Sequence, residues 1–265
     1  MMTLKMTKFL KYVSDLHLES KSLHHPLLQP LFRPSSFHLA LIGDIGNPFH
    51  HNLEEFLRRV ADNHEKIFYV PGNHEYWNID SQIYTISDTR HHLDRLCTKF
   101  SNVVLLDNST FTIDGVKIIG STLWSHVSKD IPYIENTIQN YQKIYKSPFK
   151  RLTVQDTNTF NKDAFTFIQK EIHDAPCVVL THYPPLMCNS LANEYTSDPK
   201  FYGDKTYNVY HNDLKHLIRR PIKAWLYGHT HYNSSFYIDG VWVSANQMGY
   251  KGCKKFSAES KICLD

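Results

Sequence analysis

Five times along the chain, a run of four or five apolar residues rich in β-branched and aromatic types breaks abruptly into small and polar ones. "FLKYV" runs into "SDLHLE", "LALI" into "GDIGN", "IFYV" into "PGNHE", "CVVL" into "THYPP" and "AWLY" into "GHTH". Short, continuously apolar runs bounded by Gly or Pro predict strands buried on both faces, as in sheets covered by helices. Between them the period changes. Leu53, Phe56, Leu57 and Val60 fall at i, i+3, i+4 and i+7, and Phe160, Ala164, Phe167, Ile168 and Ile172 mark a second helix ahead of the fourth run. Asp114-Gly115 and Asp239-Gly240 each separate two apolar segments, which predicts tight two-residue hairpins. The expected class is α/β (α+β): a pair of mixed sheets flanked by helices.

Length and composition narrow this reading. The 265 residues, 42% hydrophobic and 21% charged, are those of a globular chain, and no repeat, low-complexity tract or linker divides it, so residues 1–265 are expected to form one domain. Residues 125–152 and 187–210 fit no periodic pattern and are expected to be Tyr-rich cap insertions. The tail "YKGCKKFSAESKICLD" is expected to be solvated or loosely packed. A formal charge of +3 is far from the dense basic footprint of a nucleic-acid binder. The five cysteines (97, 177, 188, 253 and 263) show neither CxxC spacing nor an even count, which predicts reduced thiols and no thiolate zinc site. No apolar stretch reaches the roughly 20 residues that span a bilayer, and no signal-peptide pattern opens the chain, so no membrane association and a cytoplasmic location are expected.

Histidine, with 17 residues, is the outlier. In open α/β sheets, ligands collect where strands end at their carboxyl edge. The five strand ends bring Asp15, His17, Asp44, Asn73, His74, His182, His229 and His231. Carboxylate, imidazole and amide oxygen form a ligand set for Mn, Fe, Zn or Mg. In an extended segment alternate residues face the same way, so Asp15 with His17, and His229 with His231, are expected to converge. Glycines 43, 72 and 228 precede Asp44, Asn73 and His229, where a bare backbone permits a tight turn and close approach. Taken singly, each piece has a plainer reading. A lone HxH in a His-rich chain is more often a polar loop, "GDIG" an ordinary turn, and "GNHE" a loop with Asn73 as helix cap. Joint occurrence at five strand ends is what favours a site. The adjacent pairs His24-His25, His50-His51 and His91-His92 obey no such rule and are expected on the solvated surface.

The ordered set D-x-H, GD, GNH[ED], H and GHxH, running here from Asp15 to His231, resembles the calcineurin-like metallophosphoesterase superfamily. The resemblance implies a two-sheet β-sandwich with helices outside and two divalent metal ions, manganese foremost. It implies Asp15, His17, Asp44 and His231 on one metal, and Asp44, Asn73, His182 and His229 on the other, with Asp44 bridging. It further implies a metal-bridging hydroxide as the attacking group, and His74 as the residue that protonates the leaving oxygen or stabilises its charge. Ser/Thr phosphatases of the superfamily carry GDxVDRG and RGNHE, whereas "GDIGNPF" and "PGNHE" here lack both arginines, leaving Asn47 as a substrate-binding substitute. The motifs stand closer to the bacterial and viral-type phosphoesterase branch.

The expected function is therefore hydrolysis of phosphodiesters or phosphomonoesters, with small-molecule or nucleotide substrates. A non-catalytic protein-interaction scaffold is the alternative from another class; a metal-dependent nuclease would need an extended basic channel. Tyr133, Tyr141 and Tyr145, and Tyr195, Tyr202, Tyr207 and Tyr210 around Lys200 and Lys205, can either stack a nucleobase or anchor the insertions on the sandwich.

Overall fold

The computed structural model describes residues 7–79, 81–173, 175–187 and 195–265. The first three apolar runs form strands β1 (Phe9–Val13), β2 (His38–Ile42) and β3 (Ile67–Val70). With β4 (Val103–Leu105) they pair in parallel in the order β1-β2-β3-β4. Helix α1 (His51–Ala61) crosses from β2 to β3, and α2 (Ile86–Cys97) from β3 to β4. A second sheet of six strands is built from β5 (Ser109–Ile113), β6 (Val116–Ser121), β9 (Cys177–Thr181), β10 (Ile222–Tyr227), β11 (Ser235–Ile238) and β12 (Val241–Ala245). Its order is β11-β12-β10-β9-β6-β5, and helix α5 (Val154–Glu171) packs on it.

The strands alternate between two hydrophobic layers, which explains their unbroken apolar character. Tyr12, Ala40, Ile42, Phe68 and Val70 of the first sheet meet Ile118, Val178, Leu180, Ala224 and Leu226 of the second between the sheets. Leu39, Leu41, Ile67 and Tyr69 point the other way, onto Leu53, Phe56, Leu57 and Val60 of α1. Cys177, Val179, Trp225 and Tyr227 likewise face Ala164 and Ile168 of α5. Truncating one of the fully buried leucines, such as Leu180, to Ala is expected to cost about 2–5 kcal/mol through lost transfer energy and the cavity left behind.

Both Asp-Gly turns close hairpins, β5 to β6 and β11 to β12, with Asp114 and Gly115 at φ 50° and 82° and Asp239 and Gly240 at 47° and 77°. Positive φ at both central residues matches the strands' twist. Residues 125–152 hold helices α3 (Ile131–Thr137) and α4 (Asn140–Lys143) and the hairpin β7 (Tyr145–Ser147) to β8 (Lys150–Arg151). They pack through Ile134, Ile138, Tyr141 and Ile144 on Tyr76, Trp124 and Tyr183. Tyr141, buried with its hydroxyl 3.1 Å from Thr157, is an anchor.

The expectation of a loose tail is corrected: β13 (Lys261–Cys263) adds to the first sheet, antiparallel to β1, and Leu264 and Ala258 are buried. Its alternation of Lys261, Ile262 and Cys263 is too short to stand out beside so many lysines. Among the adjacent histidine pairs expected on the surface, His51 is exposed and His50 half-buried. Their rings stack at 4.5 Å, and His50 Nδ1 accepts from the backbone of Asn52 at the start of α1.

Candidate metal centre

Parallel pairing brings the carboxyl ends of β1, β2 and β3 to one edge of the first sheet, and those of β9 and β10 to one edge of the second. The edges are joined at His182, whose Nδ1 lies 3.0 Å from the carbonyl of Ile42, leaving Nε2 to face inward. That nitrogen sits 3.3 Å from Asp44 Oδ1 and 3.0 Å from Asn73 Oδ1. A short way off, His231 Nε2 lies 3.3 Å from Asp15 Oδ1 and 3.1 Å from His17 Nε2. Three overlapping groups, Asp15/His17/His231, His17/Asp44/His74 and Asp44/His182/His229, each hold their ligand atoms within 4.8 Å of one another. All eight candidate residues therefore lie in or against one cluster.

They do not converge by strand alternation, as the spacing suggested. Asp15, His17, Asp44, His229 and His231 have φ values of 55°, 49°, 52°, 78° and 51°, so each turns in the left-handed region. Non-glycine residues rarely adopt it, and it costs of order 1–3 kcal/mol where a side chain resists it. Surrounding hydrogen bonds hold the loops there: Asp15 N donates to the Gly43 carbonyl, His17 N to the Asp44 carbonyl, and His229 N to both carboxylate oxygens of Asp15. A Cβ at Gly43 would overlap the His182 ring, and one at Gly72 the Asp44 carboxylate, so close approach is what those two glycines supply.

The electrostatics suit cations. Burial alone would drive Asp44 to its neutral form, but the charges of His182, His74 and His17 hold its carboxyl well below the usual range. Burial likewise opposes charge on His182, yet Asp44 and Asp15 lift it to about 9. Burial dominates at His74, whose pKa falls to about 4, and at His229, which is also driven down. The donors fit a metal pair on two counts. His229 Nε2 is buried without a hydrogen-bond partner, which a polar atom seldom tolerates. His17 Nε2 and His231 Nε2 face each other within hydrogen-bonding distance, an arrangement that an interposed cation or a single proton satisfies.

The sequence pattern of the calcineurin-like phosphoesterases matches residues 11–233. The chain belongs to the calcineurin-like phosphoesterase family. It is 38% identical over 256 residues to an uncharacterised protein of Acanthamoeba polyphaga mimivirus, covering 92% of this chain and 91% of that one. The crystal structure of the Phosphopantetheinyl Hydrolase of Mycobacterium tuberculosis shares the fold, with a TM-score of 0.69 at 18% identity over 98% of this chain and 97% of that one. Phosphoester hydrolysis is thus the activity of the family, and among the described residues no helix is long and apolar enough to cross a membrane.

The cluster is supported by residues to which the sequence reading gave no role. Glu75, buried beside His74, accepts from the backbone N–H groups of Asp44, Ile45 and Gly72 at 2.9, 2.7 and 2.6 Å and from the Tyr69 hydroxyl at 2.9 Å. Burial and the Asp44 charge push its carboxyl up to about 7. Glu19 Oε1 lies 3.4 Å from His17 Nδ1, a carboxylate that orients the imidazole. Asn73 stands at the N-cap position of the short 3-10 turn His74–Tyr76, but its side chain makes no capping bond. Its Nδ2 donates to Asn140 Oδ1, which also receives Trp77 Nε1, so the Asn73 oxygen is turned toward His182. Asn140 belongs to the first insertion, and only the folded path brings it here. Gln247 Oε1 accepts from His231 N at 2.5 Å.

Two cavities adjoin the cluster, and no residue lines both. One, of about 400 Å³, has His229 and His231 in its wall with Phe201, Tyr207 and Tyr210. The other, of about 150 Å³, is walled by His74, Trp77, Asn47, Glu19, Lys143 and Tyr250. Among the described residues, no arginine lines either. Asn47 donates to the Trp77 carbonyl and accepts from Phe49 N, so one amide hydrogen remains for a ligand. Tyr210 lies 5.4 Å from the His229 ring, while Tyr207 stacks on His211 at 4.2 Å. Tyr202 and Tyr133 are exposed. Residues 188–194 of the second insertion, with Cys188, lie outside the described residues.

Proposed function

We propose that this chain hydrolyses phosphodiesters, nucleotide-like ones among them, at a centre that holds two divalent cations. The observation that carries the reading is the pair of cavities: a diester has two organic arms, and the cluster adjoins two separate spaces. The larger space, with aromatic walls and no cation among its lining residues, suits a planar, uncharged arm such as a nucleoside. The smaller takes the second arm beside His74. Absence of arginine argues against the bidentate clamp that holds a dianionic monoester.

Asp15, His17, Asp44 and His231 would hold one ion and Asp44, Asn73, His182 and His229 the other, with Asp44 shared. Bound there, two divalent ions, manganese being the expected pair, neutralise phosphoryl charge and supply a nucleophile from water at neutral pH. His74 acts on the leaving oxygen. Because burial keeps its imidazole largely neutral above pH 4, its contribution is a hydrogen bond donated from Nε2 to the departing oxygen. The 125–152 segment and the described part of 187–210 serve as caps on one domain, the first through Asn140 and the second through Phe201, Tyr207 and Tyr210.

The test is a panel of aryl methyl phosphodiesters, cyclic nucleotides and matching monoesters, assayed with manganese and with chelator. Diester turnover that chelator abolishes and that exceeds monoester turnover is expected. Equal or greater turnover of monoesters would remove the two-arm argument. His74→Ala should keep full metal content and lose about 100-fold or more in kcat; loss of metal in that variant would contradict the role.

A further inference from the structure

Tyr250 lies outside the 11–233 span that carries the family pattern, in the segment that the sequence left unassigned, yet it stands over the cluster. Its ring stacks on His17 at 4.2 Å with planes 24° apart, and meets the edge of His231 at 5.0 Å. Its hydroxyl is 3.3 Å from His74 Nε2. His74 is also held by Trp77, whose ring is stacked on the imidazole at 3.5 Å, and by the His17 ring, which meets it edge-on at 4.6 Å. Trp77 therefore fixes the plane of the ring, while Tyr250 marks which nitrogen faces the site.

The position of Tyr250 is built, not incidental. Met248 N donates to the Ser14 carbonyl and Gly249 N to the Asp15 carbonyl, tying this segment to the first metal motif. Cys253 N donates back to Met248 O and its thiol to His231 O. Gly249 turns at φ 64°, and a Cβ there would meet Cys253 Sγ at 2.6 Å and the His231 ring at 3.3 Å. Lys21 Nζ, held by the Leu16 carbonyl at 2.9 Å, lies 5.8 Å from the Tyr250 ring centre. A half-exposed tyrosine fixed from four sides is constrained to one placement.

We infer that Tyr250 is a positioning residue for His74: its hydroxyl oxygen accepts a hydrogen bond from Nε2 and keeps the proton-bearing nitrogen turned toward the reacting group. Asp44 Oδ2, an acceptor only, lies 3.9 Å from the same nitrogen and favours the tautomer with hydrogen on Nε2, so that the Tyr250 hydroxyl, able to donate or accept, receives that hydrogen. This rests on the hydrolase reading for its consequence, but not for its geometry. When a leaving oxygen arrives, the same N–H is already aimed, and the tyrosine hydroxyl remains as its neighbour in the small cavity.

Tyr250→Phe keeps the ring and removes the acceptor. In metal-free protein, nitrogen NMR of His74 should show Nε2 protonated in the parent and a mixture of the two tautomers in the variant. Identical spectra would overturn the contact. In metal-loaded protein, the variant should lose about tenfold on diesters with alkyl leaving groups, the worth of one hydrogen bond of about 1.4 kcal/mol, and nothing beyond twofold on nitrophenyl diesters. In a His74→Ala background the same change should have no further effect. A uniform loss across leaving groups, or an additive loss in the double variant, would refute positioning through His74. A parent enzyme inert on every ester would instead sink the hydrolase reading, and the NMR comparison would still decide the contact.

Discussion

Proton release on metal uptake follows from His182 and can be put in numbers. Its ring is fully buried, and Asp44 and Asp15 overcome the cost of burial to raise its pKa to about 9. Coordination needs the neutral ring, so at pH 7 the metal must displace a proton held about two units above the ambient pH. Affinity at pH 7 should therefore be about 100-fold weaker than at pH 9 and should rise about tenfold per unit between. His17, where acidic neighbours outweigh burial, adds in the same direction. The metal-free fold shows the opposite trend. A histidine raised from 6.5 to about 9 contributes about 3 kcal/mol that is fully present below pH 6.5 and lost as pH rises through 9. Calorimetric titration with manganese at pH 7, in buffers of different ionisation enthalpy, counts the protons; thermal melts in chelator between pH 6.5 and 9 measure the stability. At least one proton per chain and a falling melting temperature are expected. A buffer-independent heat together with a flat melting temperature would show that His182 is already neutral and refute the argument.

Three further substitutions probe the cluster from other sides. Asp44→Asn should lower the content of both metals together in elemental analysis, because its two oxygens face separate groups; loss of one ion alone would deny it the shared position. Asn140→Ala frees the Asn73 amide and should weaken metal binding about 10–100-fold with little change in the melt of the loaded protein, as read by competition with a fluorescent chelator. Glu75→Gln places an amide NH₂ among backbone donors and should destabilise the metal-free fold by about 3 kcal/mol in urea titration; a neutral result would mean that those donors find other partners.

The strands at the core were legible because each is covered on both faces, so that Val178 and Leu180 serve one layer while Cys177 and Val179 serve the other, leaving no polar position to break the run. Strand β4 and helix α2 were not read: three residues form too short a run, and α2 interrupts Thr89, Leu93, Leu96 and Cys97 with charged and histidine residues. The eight candidate residues that the fold gathers into one cluster stood out in the sequence because their chemistry is uncommon at strand ends. Their support was hidden for the converse reason. Asn140, Gln247 and Tyr250 are of ordinary types, and nothing local marks a residue whose partner lies 67 or 176 positions away. Glu75 was the exception: it stands within "GNHE", and its place beside two glycine turns was a signal left unused. The αL backbone of Asp15 and His17 was equally invisible, since aspartate and histidine are compatible with extended strand as well.

The pairing of β13 with β1, and of Met248 and Gly249 with Ser14 and Asp15, has a consequence in time. A ribosome delivers Asp15 and His17 early, but the edge that holds them arrives only with residues 247–263. During synthesis the first sheet must wait with one flank of β1 open, and its earliest motif cannot be locked before β13 has emerged. Locking of the cluster should therefore await residues 247–263 rather than accompany folding of the leading half.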